Sequence, residues 1–208
     1  MARRIAFFSP IASDLAMQRS PLVGLLVIAV LGSFRLGPAP QDPQTSNDLF
    51  EALAGKWQGK WQGKWQGKCK TWSAGRLVDE STVEGEFAPL LGGRFVRHSY
   101  LGSMRGKPRA GEETIAYDTV AKKYQISWFD AFHMNHAIMF SEGEKTGKGF
   151  AVLGSYRMAP GQKSWGWRTE YELRDDLTLV ITAFNIAPEG REEKAVETIY
   201  QRVPPANK

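Results

Sequence analysis

The sequence predicts an all-β domain, an antiparallel barrel or sandwich of roughly ten strands, preceded by one short helix. Short segments of alternating apolar and polar residues recur from residue 81 to residue 203, separated by turn-forming residues. The chain also contains 21 glycines and 12% aromatic residues, a composition that suits short strands joined by tight turns. No segment alternates strands with helices, which disfavours parallel α/β folds.

The N-terminal region has the pattern of an export signal. Residues 22–31 form an uncharged apolar run that is preceded by Arg19. The uncharged stretch 20–34 is short for a membrane-spanning helix, which needs about 20 residues. We therefore interpret residues 1–36 as a signal peptide, with an uncleaved membrane anchor or a buried core helix as alternatives. Met17 opens a better-formed signal than Met1 does, and export predicts a periplasmic or extracellular location.

A linker and one folded domain follow. Residues 37–45 contain three prolines and no large apolar residue, which is typical of an extended linker. The predicted domain covers residues 46–204. Although the net charge is +5, residues 1–39 hold four arginines against one aspartate. Because most of the excess positive charge lies outside the domain, we predict no nucleic-acid partner.

The domain begins with a predicted helix over residues 46–55. Ser46 or Asn47 can cap its first amide groups, and Asp48 suits the positive end of the helix dipole. Gly55 can adopt the left-handed conformation that ends helices. One face of this helix carries its large apolar residues, Leu49, Phe50 and Leu53.

A perfect repeat follows the helix. Residues 56–67 are Lys-Trp-Gln-Gly three times over, a pattern that we interpret as one strand. Because the period of four is even, the tryptophans and glycines would share one face and the lysines and glutamines the other. Core or rim packing is the interpretation we favour for the tryptophans, and stacking on a sugar or base is the alternative. The three tryptophans are Trp57, Trp61 and Trp65.

Nine further segments have strand character and are bounded by turn signals. Two pairs form predicted hairpins, one around residues 118–123 and one around residues 174–176. The nine segments are 81–87, 94–101, 112–117, 124–129, 136–141, 150–158, 165–173, 177–185 and 194–203.

Several short motifs, taken in order, resemble the bacterial domain of unknown function 1579 family over about residues 50–203. They are Leu53–Trp57, Leu91–Phe95, Tyr117-Asp118 with Lys123-Tyr124, Trp128-x-Asp130 and Glu197–Tyr200. The resemblance implies a lipocalin- or calycin-like barrel of uncharacterised function and carries over no catalytic residue. The sequence departs from the family pattern at the tripled repeat and at Lys107–Ala110, where the family is more apolar.

A candidate ligand site lies around the segment 129–135, which links two predicted strands. Such links form the rims of barrels, where pockets open. We predict that His133 and Asp130, with Trp128 and Tyr124 below them, form the mouth of a pocket for a small, partly apolar ligand. In this hypothesis Asp130 accepts a hydrogen bond from one ring nitrogen of His133. The other histidines, His98 and His136, are expected to matter less.

Two other functions stay open. His133 and Asp130 could serve an enzyme as an acid–base pair, or the tryptophan strand of an envelope protein could meet a partner. The sequence has no Gly-x-Ser-x-Gly elbow and no Gly-rich phosphate loop. His133, His136 and Asp130 could ligate a metal only if they lie in a loop. We predict no catalytic residue, no metal and no cofactor, and the single cysteine, Cys69, is expected to be buried.

Overall fold

A computed structural model describes residues 46–57, 60–61 and 63–204, with side chains for residues 48–55 and 63–204. The predicted signal or anchor (1–36, including 20–34) and the linker (37–45) lie outside these residues. Among the residues described, no helix is long and apolar enough to cross a membrane.

The domain is a closed barrel of ten antiparallel strands, as the sequence predicted. Each strand pairs with the strands before and after it in sequence, and the last strand pairs with the first to close the barrel. Closure leaves no unpaired edge strand in the barrel. The ten strands are β3 (Gly63–Ser73), β4 (Arg76–Leu90), β5 (Phe95–Met104), β6 (Lys107–Asp118), β7 (Lys123–Asp130), β8 (Met139–Thr146), β9 (Gly149–Tyr156), β10 (Trp165–Asp175), β11 (Thr178–Ile186) and β12 (Glu192–Arg202).

The Lys-Trp-Gln-Gly repeat is not one strand, and that prediction was wrong. Strands β1 (Lys56–Trp57) and β2 (Lys60–Trp61) pair with each other in a separate ladder, and of the repeat only Gly63 and the third unit, residues 64–67, lie in β3. Trp65 in that unit pairs with Arg202, the last residue of β12, so residues before Trp65 have no place beside that strand. The predicted alternation holds in this third unit, where Trp65 is buried and its two neighbours are exposed. The side chains of the first two units lie outside those described.

Two hairpins are tighter than the sequence suggested. Strands β3 and β4 are joined at Ala74–Gly75, and β5 and β6 at Arg105–Gly106, with positive φ at all four residues. This conformation matches the right-handed twist of the paired strands, which therefore continue almost to the turn. The gap between the predicted strand segments 94–101 and 112–117 is accordingly reduced to a turn of two residues, and β4 starts at Arg76 rather than at residue 81.

The predicted helix is present as α1 (Ser46–Ala54) and packs against one end of the barrel. Phe50 and Leu53 are buried there, and the Trp65 indole N–H donates to the Leu53 carbonyl oxygen at 3.2 Å. Burying such a side chain stabilises the fold by about 1.5–3 kcal/mol. We call this the helix end. The five hairpins β3–β4, β5–β6, β7–β8, β9–β10 and β11–β12 lie at the opposite end, the mouth end.

The character of the interior changes between the two ends. Large apolar side chains fill the helix end, among them Trp65, Phe87, Ile115, Phe150 and Leu179. Buried polar residues lie further toward the mouth end, among them His98, Glu113, Thr169, Thr198 and Asp130. Buried polar groups are costly unless they are hydrogen-bonded, so this polar part of the barrel is where a site can be sought.

Candidate functional site

The polar part of the barrel contains two adjoining cavities. The inner cavity, about 60 Å³, is lined by groups that include His98, Glu113 and Tyr200. The outer cavity, about 230 Å³, lies at the mouth end and is lined by groups that include Trp72 and His133. Four residues line both cavities, which places one cavity directly behind the other: Arg109, Trp128, Trp167 and Val196.

An aromatic wall forms one side of the outer cavity. The His133 ring stacks on Trp167 with centroids 4.9 Å apart and on Trp128 with centroids 5.9 Å apart. Trp128 and Trp167 stack on each other at 5.4 Å, and Tyr156 meets His133 edge-on at 4.7 Å. The structure thus brings Trp128 and His133 together as predicted, and it adds Trp167, which the sequence analysis did not single out.

Asp130 holds the loop rather than the histidine ring. Its Oδ1 accepts hydrogen bonds from the backbone N–H groups of Phe132, His133 and Met134. Its Oδ2 accepts from Arg109 Nε at 3.1 Å and from the Tyr100 hydroxyl at 3.3 Å. The predicted bond to a His133 ring nitrogen is therefore absent, because an Asp at a loop start satisfies the nearby amides first.

His133 is half-buried in the aromatic wall. Its Nε2 is buried and has no hydrogen-bond partner among the residues described. Burial lowers the pKa of His133 below its ordinary value of 6.5, and Asp130 only partly opposes this shift. The ring is therefore neutral at pH 7, with one nitrogen left for another molecule.

Tyr124 does not lie at the mouth. Strand β7 runs from the helix end at Lys123 to the mouth end at Asp130, so Tyr124 lies about 14 Å from Trp128 along the strand. Tyr124 is fully buried, stacks on Phe150 at 4.3 Å and contacts Phe50 of α1 edge-on. Burial raises the pKa of its hydroxyl to about 12. The sequence grouped Tyr124 with the site because both Tyr124 and Trp128 face the barrel interior, but Tyr124 lies at the opposite end of the barrel.

A buried histidine–carboxylate pair lies in the inner cavity. His98 Nδ1 lies 2.7 Å from Glu113 Oε2, which also accepts a hydrogen bond of 2.7 Å from the Tyr171 hydroxyl. The Tyr200 hydroxyl lies 3.4 Å from His98 Nε2, and the His98 ring stacks on Phe87 at 4.1 Å. His98 was expected to matter less, yet it occupies the centre of the interior polar network. The sequence does indicate that His98 faces inward, because it lies two residues from both Val96 and Tyr100 on the same strand. That Glu113 lies opposite His98 follows only from the pairing of β5 with β6.

Arg109 connects the loop to the cavities. Its guanidinium lies 5.3 Å from the centre of the Tyr100 ring, whose hydroxyl accepts a hydrogen bond of 3.0 Å from Trp128 Nε1. Arg109 Nη1 also lies 3.8 Å from the sulfur of Cys69, which is buried as predicted. The segment 107–110, where the sequence departs from the family pattern, thus places a cation inside the barrel.

A family model described as "Protein of unknown function (DUF1579)" matches residues 42–202. The chain belongs to this family. The resemblance seen in the sequence motifs is thereby confirmed, and comparison with curated proteins finds no match.

Solved structures similar to this DUF1579 chain share its fold. The Rv2717c protein of M. tuberculosis is 15% identical with a TM-score of 0.52, and the match covers 76% of this chain and 98% of that protein. An S-type phycobiliprotein lyase, CPES, from Guillardia theta is 11% identical with a TM-score of 0.51, covering 79% and 99%. At these identities the likeness shows the barrel fold alone.

The loop histidines of this DUF1579 chain do not form a metal centre with Asp130. His136 is exposed, and its Nδ1 lies 3.3 Å from the Asn135 side-chain oxygen. Within the part of the chain that the structure describes, no group of three or more His, Cys, Asp or Glu residues could hold a metal ion. The arrangement instead offers an aromatic surface, one buried cation and a separate His98–Glu113 pair.

Proposed function

We propose that this DUF1579 protein binds a small, partly apolar molecule inside the barrel, with entry at the mouth end. The observation that carries the proposal is the pair of adjoining cavities behind the His133–Trp128–Trp167 wall. Ligand pockets typically measure about 300–1,000 Å³. Cavities of about 60 and 230 Å³ lie near the lower end of this range and suit a molecule of one to three rings.

The wall offers flat apolar area, and the buried polar groups offer orientation. Trp128 is 5% exposed and Trp167 is 6% exposed, so the wall lies inside the barrel, and a ligand ring that packs on it enters a site shielded from bulk water. Arg109, which lines both cavities, and the neutral His133 at the mouth would fix its direction. Unlike a filled interior, which would favour a purely structural role, this arrangement leaves room for a guest.

The proposal is tested with N-phenyl-1-naphthylamine, a neutral probe whose fluorescence rises in apolar sites. We expect saturable 1:1 binding with energy transfer from tryptophan. Ala183→Met would fill the inner cavity, because Ala183 lines it, and should weaken binding at least tenfold. Thr182→Met on the opposite face of the same strand is the matched control and should bind as the unaltered protein does. Equal binding by both variants would contradict the proposal.

An acid–base enzyme is the second candidate, with His98 and Glu113 as its residues instead of His133 and Asp130. The His133–Asp130 pair is not formed, whereas His98 and Glu113 lie 2.7 Å apart in the inner cavity. A carboxylate on Nδ1 orients a histidine so that Nε2 can exchange protons with a bound molecule. Chemical turnover of a bound compound that is lost in Glu113→Gln, with binding retained, would favour this candidate over simple binding.

We also propose that the protein is exported to the periplasm or beyond, with residues 20–34 as a membrane tether if they are not cleaved. The support is the Arg19-flanked apolar run at 22–31. Alkaline phosphatase fused after residue 45 should be active in intact cells. A fusion that is produced but has no phosphatase activity in intact cells would contradict export.

A further inference from the structure

Two side chains that line both cavities, Trp167 and Arg109, have donor groups without an acceptor among the described residues. Trp167 is 6% exposed and lines both cavities, yet its indole N–H donates to no group in the described structure. Arg109 donates from Nε to Asp130, makes one long contact from Nη1 to Cys69 and also interacts with the Tyr100 hydroxyl. A guanidinium carries five N–H donors, so these partners do not use all of those on Arg109.

The nearest acceptor is already occupied. Asp130 takes three backbone N–H groups on Oδ1 and two side-chain donors on Oδ2. It therefore has little capacity left for Arg109 Nη2 or for Trp167. Because Trp167 Nε1 and the unused Arg109 donors face the cavities and are not sealed from solvent, a molecule that brings its own acceptors can reach them.

Charge points the same way. The outer cavity is lined by two arginines, Arg105 and Arg109, and by no carboxylate among the described residues. The Arg105 side chain forms no ion pair with another described residue, and it is exposed at the β5–β6 turn. The inner cavity, by contrast, contains the Glu113 carboxylate, which would repel an anion. Because Asp130 pairs with Arg109, the net positive charge at the outer cavity comes from Arg105, so an anionic group is favoured in the outer cavity and disfavoured beside Glu113 deeper in the barrel.

We infer that the ligand is a flat aromatic carboxylate, an inference that rests on the proposed function. Its carboxylate accepts hydrogen bonds from Arg109 and from the Trp167 indole N–H. Its ring lies against the wall of His133, Trp128 and Trp167. A carboxylate fits better than a phosphate group because Asp130 already neutralises Arg109, which leaves Arg105 as the one unpaired cation at the outer cavity among the described residues, too little positive charge for a doubly charged group.

The test is ¹⁹F NMR titration of the unaltered protein with three probes of one shape: 4-fluorobenzoate, 4-fluorobenzamide and 4-fluorobenzylamine. We expect the carboxylate to bind at least tenfold more tightly than the amide, and the amine to bind most weakly. Equal or tighter binding of the amide or the amine would overturn the inference. Absence of binding by all three would also overturn it, whereas N-phenyl-1-naphthylamine binding separately decides the proposed function.

Variants assign the preference to its donors. Arg109→Gln should abolish the preference for benzoate over benzamide, and Trp167→Phe should weaken benzoate binding several-fold while the ring surface remains. Because Arg109→Gln also leaves Asp130 without its ion pair, Arg109→Lys serves as a second variant that keeps the charge but loses the planar fork. Lysine should reduce the preference without removing it. Arg97→Gln, on the exposed face of β5, is the matched control, and an unchanged preference in Arg109→Gln would refute the assignment.

Discussion

A single methyl group at Gly111 should disturb the site. Gly111 pairs with Tyr100 on β5 and with Asp130 on β7, and all three face the barrel interior. A Cβ atom at Gly111 would lie 2.2 Å from the Tyr100 hydroxyl oxygen and 2.8 Å from the Asp130 Cβ. Neither distance is compatible with van der Waals contact, so Gly111→Ala must displace the tyrosine.

The magnitude follows from what the tyrosine holds. Its hydroxyl accepts from Trp128 and donates to Asp130, and losing the two bonds costs about 2 kcal/mol. The overlap of the new methyl group with Tyr100 and Asp130 adds about 1–3 kcal/mol. Alanine in a strand recovers only about 0.5–1 kcal/mol relative to glycine. The net prediction is a loss of about 2–4 kcal/mol in the free energy of unfolding.

Urea unfolding followed by circular dichroism measures this loss. With a denaturant dependence of about 2 kcal/mol per molar urea, the midpoint should fall by about 1–2 M. The control is Gly147→Ala in the β8–β9 turn, where a Cβ meets nothing within 4 Å. That variant should be as stable as the unaltered protein or slightly more so. If Gly111→Ala unfolds within 0.5 kcal/mol of Gly147→Ala, the packing of Tyr100 over Gly111 is not as described.

Four further outcomes are expected. Leu53→Ala should lower the free energy of unfolding by about 2–5 kcal/mol, because Leu53 is fully buried. Leu177 is 60% exposed, so Leu177→Ala should change the free energy of unfolding by less than about 1 kcal/mol. Equal effects would mean that α1 is not packed on the barrel. Deleting one Lys-Trp-Gln-Gly unit should leave the urea midpoint nearly unchanged, whereas deleting Gln66 alone reverses the facing of Trp65 and should cost several kcal/mol. His133→Ala should weaken N-phenyl-1-naphthylamine binding at least tenfold, and an unaltered affinity would remove His133 from the site. Because burial lowers the pKa of His133 in the folded state, the unfolded state binds more protons near pH 6.5 and below. The free energy of unfolding should therefore decrease as the pH is lowered from about 7.5 to about 5.5, and it should decrease less in His133→Gln.

The barrel could be predicted from the sequence because the pattern that identifies each strand lies within that strand's own residues. Alternation identified the inward residues of most strands, and the apolar face of residues 46–55 predicted a helix that packs. The same alternation could not show that the tripled repeat splits, since each unit fits a strand equally well. The limit was set by Arg202, where β12 ends, so that β1 and β2 in the earlier units pair with each other instead.

The site was only partly predictable. Trp128 and His133 lie close in sequence on either side of a strand end, so local reasoning placed them together at the rim. It could not place Tyr124, because alternation gives the face of a residue but not its distance from the mouth. The sequence analysis also overlooked Arg109, because the basic segment around it resembles an exposed turn. In the structure the turn consists of Arg105 and Gly106 alone, and Arg109 lies in strand β6.

By itself the sequence determined which side chains face inward, because a strand's period of two is a property of the backbone. Only the tertiary structure decided which of these side chains meet. His98 and Glu113 are 15 residues apart and come together through the register of β5 on β6. Arg109 reaches Asp130 across the register of β6 on β7, and Trp167 reaches Trp128 from β10 across the barrel interior. Register and closure depend on the summed pairing of all ten strands, which no single segment encodes.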